Sequence, residues 1–157
     1  ASGKSNLLSP LKPLINISSN QSNNQVGSTS EHKGINFEQV LGNSGFNQRL
    51  EAANEQGNIV MLDLYADWCT SCKEMEMVTF VDKGVLEKAK NMLTLQVDVT
   101  DNTEEDQALL KRFSLIGPPA ILFFDRNGQE FKNQRLVGYT DAKTLVKHMK
   151  AVTINNN

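Results

Sequence analysis

Only two of the 157 residues are cysteine, two are histidine and one is tryptophan. Two cysteines cannot build the disulfide scaffold of a small secreted domain, so the pair has a task other than stapling. Charge of one sign is also lacking: 16 Lys and Arg stand against 18 Asp and Glu, a net charge of −2. That balance supplies no basic face and argues against a nucleic-acid or anionic-membrane partner. No apolar run approaches the roughly 18 residues that cross a bilayer. The chain opens Ala1-Ser2-Gly3, with neither an initiator Met nor a charged-then-apolar leader, and reads as a piece of something longer. Its length suits one domain with a real core and is too short for two of ordinary size.

Residues 1–34 are rich in Ser and Asn and hold no aromatic residue. Their one apolar cluster, Leu7-Leu8 to Ile15, is interrupted by Pro10 and Pro13. So little apolar surface does not offset ordering entropy, and the segment reads as a flexible linker or tether. An arm docked through Leu11 to Ile17 is the alternative. The compact domain is expected over 35–153, with 154–157 as a disordered tail.

Within the domain, Phe37 to Leu41 suits a short edge strand, and Ser44 to Gln56 a helix with Phe46, Leu50 and Ala53 on one side. Asn58 to Ala66 is a nearly continuous apolar run, the signature of a central strand covered on both faces. Thr70 to Val78 is expected to be helical, and Asp82 to cap a further segment. Met92 to Val99 and Ala120 to Asp125 are strands, with a helix between them at Glu104 to Phe113. Arg126-Asn127-Gly128-Gln129 predicts a hairpin turn into a strand from Glu130 to Val137. An amphipathic helix over Asp141 to Val152 closes the chain. The order β-α-β-α-β-α-β-β-α predicts an α/β fold, a central mixed sheet flanked by helices on both faces.

Both cysteines lie in Trp68-Cys69-Thr70-Ser71-Cys72-Lys73, where the strand ends and a helix begins. Unpaired N–H groups and the dipole at a helix start favour thiolate, the attacking species in disulfide exchange. Cys69 is therefore expected to be the exposed attacking thiol and Cys72, a turn further in, the buried resolving one. A zinc site has half its ligands at this spacing, but needs four. The histidines, His32 in the leader and His148 in the last helix, do not supply the rest, so no metal is expected. Lys73 excludes the haem-attachment pattern that ends in His.

Asp63 interrupts Val60-Met61-Leu62-Asp63-Leu64. A carboxylate there is costly to bury charged, so it should hold its proton to high pH and could exchange it with Cys72. A water-bonded or capping acid is the plainer alternative. Glu76, one turn beyond Cys72, faces the same sulfur or simply a solvated helix side. Trp68 either shields the thiol and offers apolar contact to a partner, or is a core aromatic. Gly117-Pro118-Pro119-Ala120 enters the next strand as an ordinary Pro-rich turn or with a cis bond.

These residues resemble the thioredoxin superfamily from about Phe37 to Val152. The block Asp63-Leu64-Tyr65-Ala66-Asp67-Trp68-Cys69-x-x-Cys72-Lys73-Glu74-x-Glu76 is more narrowly similar to the C-terminal periplasmic domains of the DsbD family of thiol:disulfide interchange proteins. Ile121-Leu122-Phe123-Phe124-Asp125 and Gly128-Gln129-Glu130 continue the likeness. The resemblance implies a thioredoxin-like fold, with a protein-disulfide reductase that needs no cofactor beyond a redox-active Cys69–Cys72 disulfide. It makes Cys69 the nucleophile, Cys72 the resolving thiol, Asp63 and Glu76 the tuning acids, and Pro119 a cis-proline opposite the dithiol. It also implies a periplasmic domain, monomeric when isolated and tethered to the inner membrane in the full-length protein. Electrons would come from the transmembrane domain and pass to the immunoglobulin-like N-terminal domain. From there they would reach periplasmic disulfide isomerase and cytochrome-maturation thioredoxins.

Three positions depart from the superfamily pattern. Ala120 follows the prolines where Thr is common. Pro118 has no N–H to offer a docked partner segment. Gln96 aligns where many thioredoxins carry Lys beside the buried acid, which should leave Asp63 more readily protonated. A free-standing thioredoxin-like reductase and a redox-silent binding module of the same fold are the alternatives.

Overall fold

A computed structural model of the chain describes residues 34–154. The leader expected over 1–34 lies outside the described residues except for Gly34. Of the tail expected over 154–157, only Ile154 is described, and it is the last residue of a helix. The elements run β1 (Glu38–Val40), α1 (Gly42–Glu55), β2 (Val60–Tyr65), α2 (Thr70–Glu74) continuing into a π turn (Met75–Thr79), and α3 (Lys83–Ala89). Then follow β3 (Leu93–Asp98), α4 (Glu104–Arg112), β4 (Ala120–Phe124), a 3-10 turn (Lys132–Gln134), β5 (Leu136–Val137) and α5 (Ala142–Ile154).

The strands lie in the order β1-β3-β2-β4-β5. β1 and β2 run parallel to β3, while β4 is antiparallel to β2 and β5 to β4. The expected mixed sheet is thus formed, with the apolar run of β2 at its centre. On one face Val60, Leu62, Leu64, Leu95, Leu122 and Phe124 meet Phe46, Leu50 and Ala53 of α1 and Leu109 of α4. On the other, Met61, Ile121 and Phe123 meet Met75, Val85 of α3 and Leu145, Met149 and Val152 of α5. Helices cover both faces because the apolar positions of β2 and β4 alternate onto both.

Local chemistry sets the element ends. The Asp82 carboxylate accepts from the Val85 N–H at 3.1 Å and starts α3, as expected. Thr103 and Asp106 exchange hydrogen bonds at the start of α4, a reciprocal cap that the sequence reading passed over. The helix expected over Thr70 to Val78 is α-helical only to Glu74. It then widens, and the Phe80 N–H reaches back five residues to the Met75 carbonyl at 2.8 Å.

The strand expected over Glu130 to Val137 is much shorter. The turn itself forms: Asp125 Oδ1 accepts from the N–H groups of Asn127 and Gln129. Gly128 sits at φ +85, where a Cβ would lie 2.5 Å from the Asn54 amide. Glu130 pairs with Phe124 as a single bridge, and the ladder resumes only at Leu136. Between them Arg135 grips Glu130 through two hydrogen bonds and donates to the Phe113 carbonyl at 2.7 Å. A bidentate pair five residues apart folds the chain into a turn that extended backbone does not permit.

Candidate active site

β2 ends at Tyr65, and the chain turns through Ala66-Asp67-Trp68 before α2 begins at Thr70. Cys69 holds extended backbone at the N-cap, and its Sγ accepts the Cys72 N–H at 3.2 Å. Sulfur thus fills the position that Ser, Thr or Asp usually takes. Cys69 and Cys72 are joined as a disulfide, with Cα atoms 5.3 Å apart. Cys72 Sγ lies 3.9 Å from the Leu64 carbonyl. In the disulfide this is a contact, since the sulfur carries no proton; on reduction its S–H can point there.

The expected contrast between an exposed Cys69 and a buried Cys72 is absent in this oxidised state. Their fractional exposures are 6% and 4%. Joined to Cys72, Cys69 lies in the same apolar cluster. Trp68 takes the exposed position instead, at 61%, and is not a core aromatic.

Thr100, after β3, anchors this turn. Its Oγ1 accepts the Asp67 N–H at 2.8 Å, and its carbonyl accepts the Trp68 indole N–H at 3.2 Å. Asp98 Oδ1 accepts from the Thr100 N–H at 2.9 Å and from its hydroxyl through a short bond. Sequence reasoning missed Thr100; its one local signal is the Asp98-x-Thr100 turn pattern at a strand end. Tyr65, Asp67 and Lys73 form a second small network. Lys73 Nζ donates to the Tyr65 hydroxyl at 3.3 Å, which donates to Asp67 at 3.0 Å.

Asp63 is 3% exposed. Gln96 Nε2, its register partner on β3, donates to its Oδ2 at 2.8 Å. Its pKa is raised to about 8: burial pushes it up, the Gln96 hydrogen bond holds it back, and the Glu76 charge adds to the rise. Gln96 thus supplies a neutral donor where a Lys would supply a charge. Glu76 itself is exposed on the π turn and acts on Asp63 through space rather than from a buried site.

Pro118 and Pro119 stand half-buried at the entry to β4, joined by a cis bond. Ala120 pairs with Leu64, whose carbonyl touches Cys72, so this loop meets the dithiol at one end of the sheet. The Pro119 carbonyl accepts the Gly138 N–H at 2.9 Å, tying in the segment after β5. Trp68, Ile116, Val137 and Tyr139 are exposed apolar side chains on the segments that meet there. The structure therefore gathers Cys69, Cys72, Trp68, Pro118 and Pro119 at one end, while Asp63 precedes Leu64, whose carbonyl touches Cys72, and Glu76 stands exposed on the π turn. Among the described residues no group of three or more His, Cys, Asp or Glu side chains could hold a metal ion. No described helix is long and apolar enough to cross a membrane.

A family model described as a thioredoxin-like domain matches residues 46–153. The chain is 42% identical over 127 residues to the thiol:disulfide interchange protein DsbD of Pseudoalteromonas atlantica, covering 81% of this chain and 22% of that protein. Against DsbD of Yersinia pestis it is 44% identical over 126 residues, 79% of this chain and 21% of that protein. The chain thus spans about a fifth of the length of these curated relatives. Among solved structures, the oxidised DsbD C-terminal domain of Neisseria meningitidis superposes with a TM-score of 0.64 at 30% identity, covering 73% of this chain and 99% of that one. A thioredoxin from Thermus thermophilus, 22% identical, shares the fold with the same TM-score, over 78% of this chain and 92% of that one.

Proposed function

Because the chain belongs to the thioredoxin-like family, and within it to the C-terminal domains of the DsbD thiol:disulfide interchange proteins, we propose that it relays two electrons by dithiol–disulfide exchange. The observation that carries this reading is a disulfide capping a helix start, touching the carbonyl of Leu64, the residue after a buried, proton-holding acid. In the reduced state the Cys69 thiolate attacks a partner's disulfide. One partner sulfur leaves as a thiolate, and a mixed disulfide joins the two proteins. Cys72 then gives its proton to the Asp63 carboxylate, and its sulfur attacks Cys69 Sγ. The partner leaves with both sulfurs reduced, and the domain is left as the disulfide. A carboxyl that titrates near ambient pH is well matched to accept and return that proton.

The apolar side chains beside the dithiol, Trp68, Ile116, Val137 and Tyr139, supply the docking contact. Neither Pro118 nor Pro119 has an N–H to donate to a partner strand. Electrons come from a dithiol in the membrane-embedded part of the protein and go to its immunoglobulin-like N-terminal domain, as the resemblance implies. The setting is then the periplasm, with the domain tethered to the inner membrane. The redox-active disulfide is the sole cofactor the chemistry requires.

Cys72→Ala should trap a mixed disulfide with the N-terminal domain, visible on non-reducing gels, while Cys69→Ala traps none. Identical behaviour of the two variants would sink the role assignment. Equilibration against glutathione buffers separates a carrier from a binding module: a dithiol that never oxidises at any potential excludes interchange.

A further inference from the structure

Three polar side chains form one rung across an otherwise apolar sheet. Gln39 of β1 is in register with Gln96 of β3, and Gln96 with Asp63 of β2. Neighbouring parallel strands lie about 4.8 Å apart, so in-register side chains on one face stand side by side. Gln39 Nε2 donates to Gln96 Oε1 at 2.7 Å, and Gln96 Nε2 donates to Asp63 Oδ2 at 2.8 Å. Both amides point the same way, from the exposed edge strand inward to the acid.

An amide has a donating and an accepting end, and Gln96 is too buried for water to satisfy either one freely. Were it turned over, its carbonyl would face Asp63. That orientation repels a carboxylate and accepts from a neutral acid. The observed one donates to the carboxylate. Gln39 occupies Gln96 Oε1 and so removes the need for that oxygen to seek another partner; a buried acceptor left alone costs about 1–3 kcal/mol. We propose that Gln39 is a positioning residue for Asp63: through its hydrogen bond it fixes which end of the Gln96 amide meets the carboxyl.

The remaining groups around Asp63 do not supply this control. Glu76, on the π turn, contributes only its charge through space. The cysteines carry no proton while joined. Ile121, the register partner on β4, is apolar. Gln39 lies two strands from the acid and touches it only by way of Gln96. The effect on proton affinity requires nothing of the proposed electron relay; its consequence for the Cys72 step does rest on that reading.

The test is a pH titration of the Asp63 carboxyl carbon by NMR in the oxidised protein. Gln39→Met removes the outer donor at an exposed edge position. The hydrogen bond to Asp63 then loses the polarisation that a chained bond adds, about 10–30%. The midpoint should rise by roughly 0.1–0.7 units. Gln96→Met, which removes the donor itself, should raise it further. In the Gln96→Met background, Gln39→Met should have no additional effect. Gln39→Asn, too short to reach Gln96, repeats the first arm if Met disturbs the edge. An unmoved midpoint in the Gln39 variants, or a shift that persists without Gln96, overturns the proposal. A purely structural edge contact would change the unfolding midpoint and leave the titration alone. If the carboxyl midpoint moves but the pH profile of mixed-disulfide resolution does not, the amide relay stands and Asp63 is removed from the resolving step instead.

Discussion

Val60, Leu62 and Leu64 of β2 look onto one face of the sheet, Met61 and Asp63 onto the other. The buried residues of the first face are all apolar, with the Glu38–Arg49 ion pair at its exposed edge. There Phe46, Phe113 and Phe124 form a triangle with ring centroids 5.2–6.0 Å apart, and Arg112 lies over two of the rings. The second face admits a polar rung, Gln39-Gln96-Asp63, among its Met, Ile and Phe side chains. One face gives the fold its stability by packing alone. The other gives up some stability to keep a protonatable group one residue before Leu64, whose carbonyl touches Cys72 from the first face. A strand with period two lets adjacent residues serve these opposite ends without compromise.

The largest effect should come from removing the acid. Folding raises the pKa of Asp63 from an ordinary 3.8 to about 8. Between those values the folded protein holds a proton that the unfolded chain has released, so stability falls as pH rises from about 4 to 8 and levels off above. The difference, about 8 minus 3.8, caps this loss at roughly 5–6 kcal/mol. In oxidised Asp63→Asn that slope should vanish, with the gain read from urea unfolding at pH 5 and pH 8. An unchanged slope would place the pH sensitivity elsewhere.

Phe124→Ala, on the dry face, should cost about 3–5 kcal/mol at every pH and leave the Asp63 titration in place. A shifted carboxyl midpoint would show that the two faces are not independent. Thr100→Val removes the hydroxyl that accepts from Asp67 and should cost about 1 kcal/mol. Trp68 is the only tryptophan, so its fluorescence anisotropy reports directly whether the dithiol turn has loosened. The smallest effect belongs to Glu76→Gln. It should lower the Asp63 midpoint by a few tenths of a unit in low salt and by almost nothing at 1 M, where screening reaches about 3 Å.

Much of the arrangement was legible in the residues themselves. The apolar run at β2 announced a central strand, the two cysteines announced their helix start, and a lone Asp in that run announced a perturbed acid. The resemblance pointed to Gln96 as the neighbour of that acid. What stayed hidden depended on register or on competing local contacts. Gln39 lies 57 residues from Gln96, and only strand pairing reveals that they meet. Thr100 reaches Trp68 across 32 residues. The long last strand failed because Arg135 found Glu130, a pairing that turn chemistry alone does not predict. Cys69 was expected exposed as an attacking thiol, and helix-start position does not reveal that it is covered in the disulfide.

Cys69 Sγ both closes the disulfide and receives one amide of the first turn of α2. The Cys72 N–H therefore hangs on the atom whose charge and bonding change at each turnover. A thiolate is a stronger acceptor than a disulfide sulfur. The chemical shift and exchange rate of that one amide thus form a built-in spectroscopic gauge. An isotope-labelled protein can be followed through its redox cycle from this resonance, with no dye, tag or partner added.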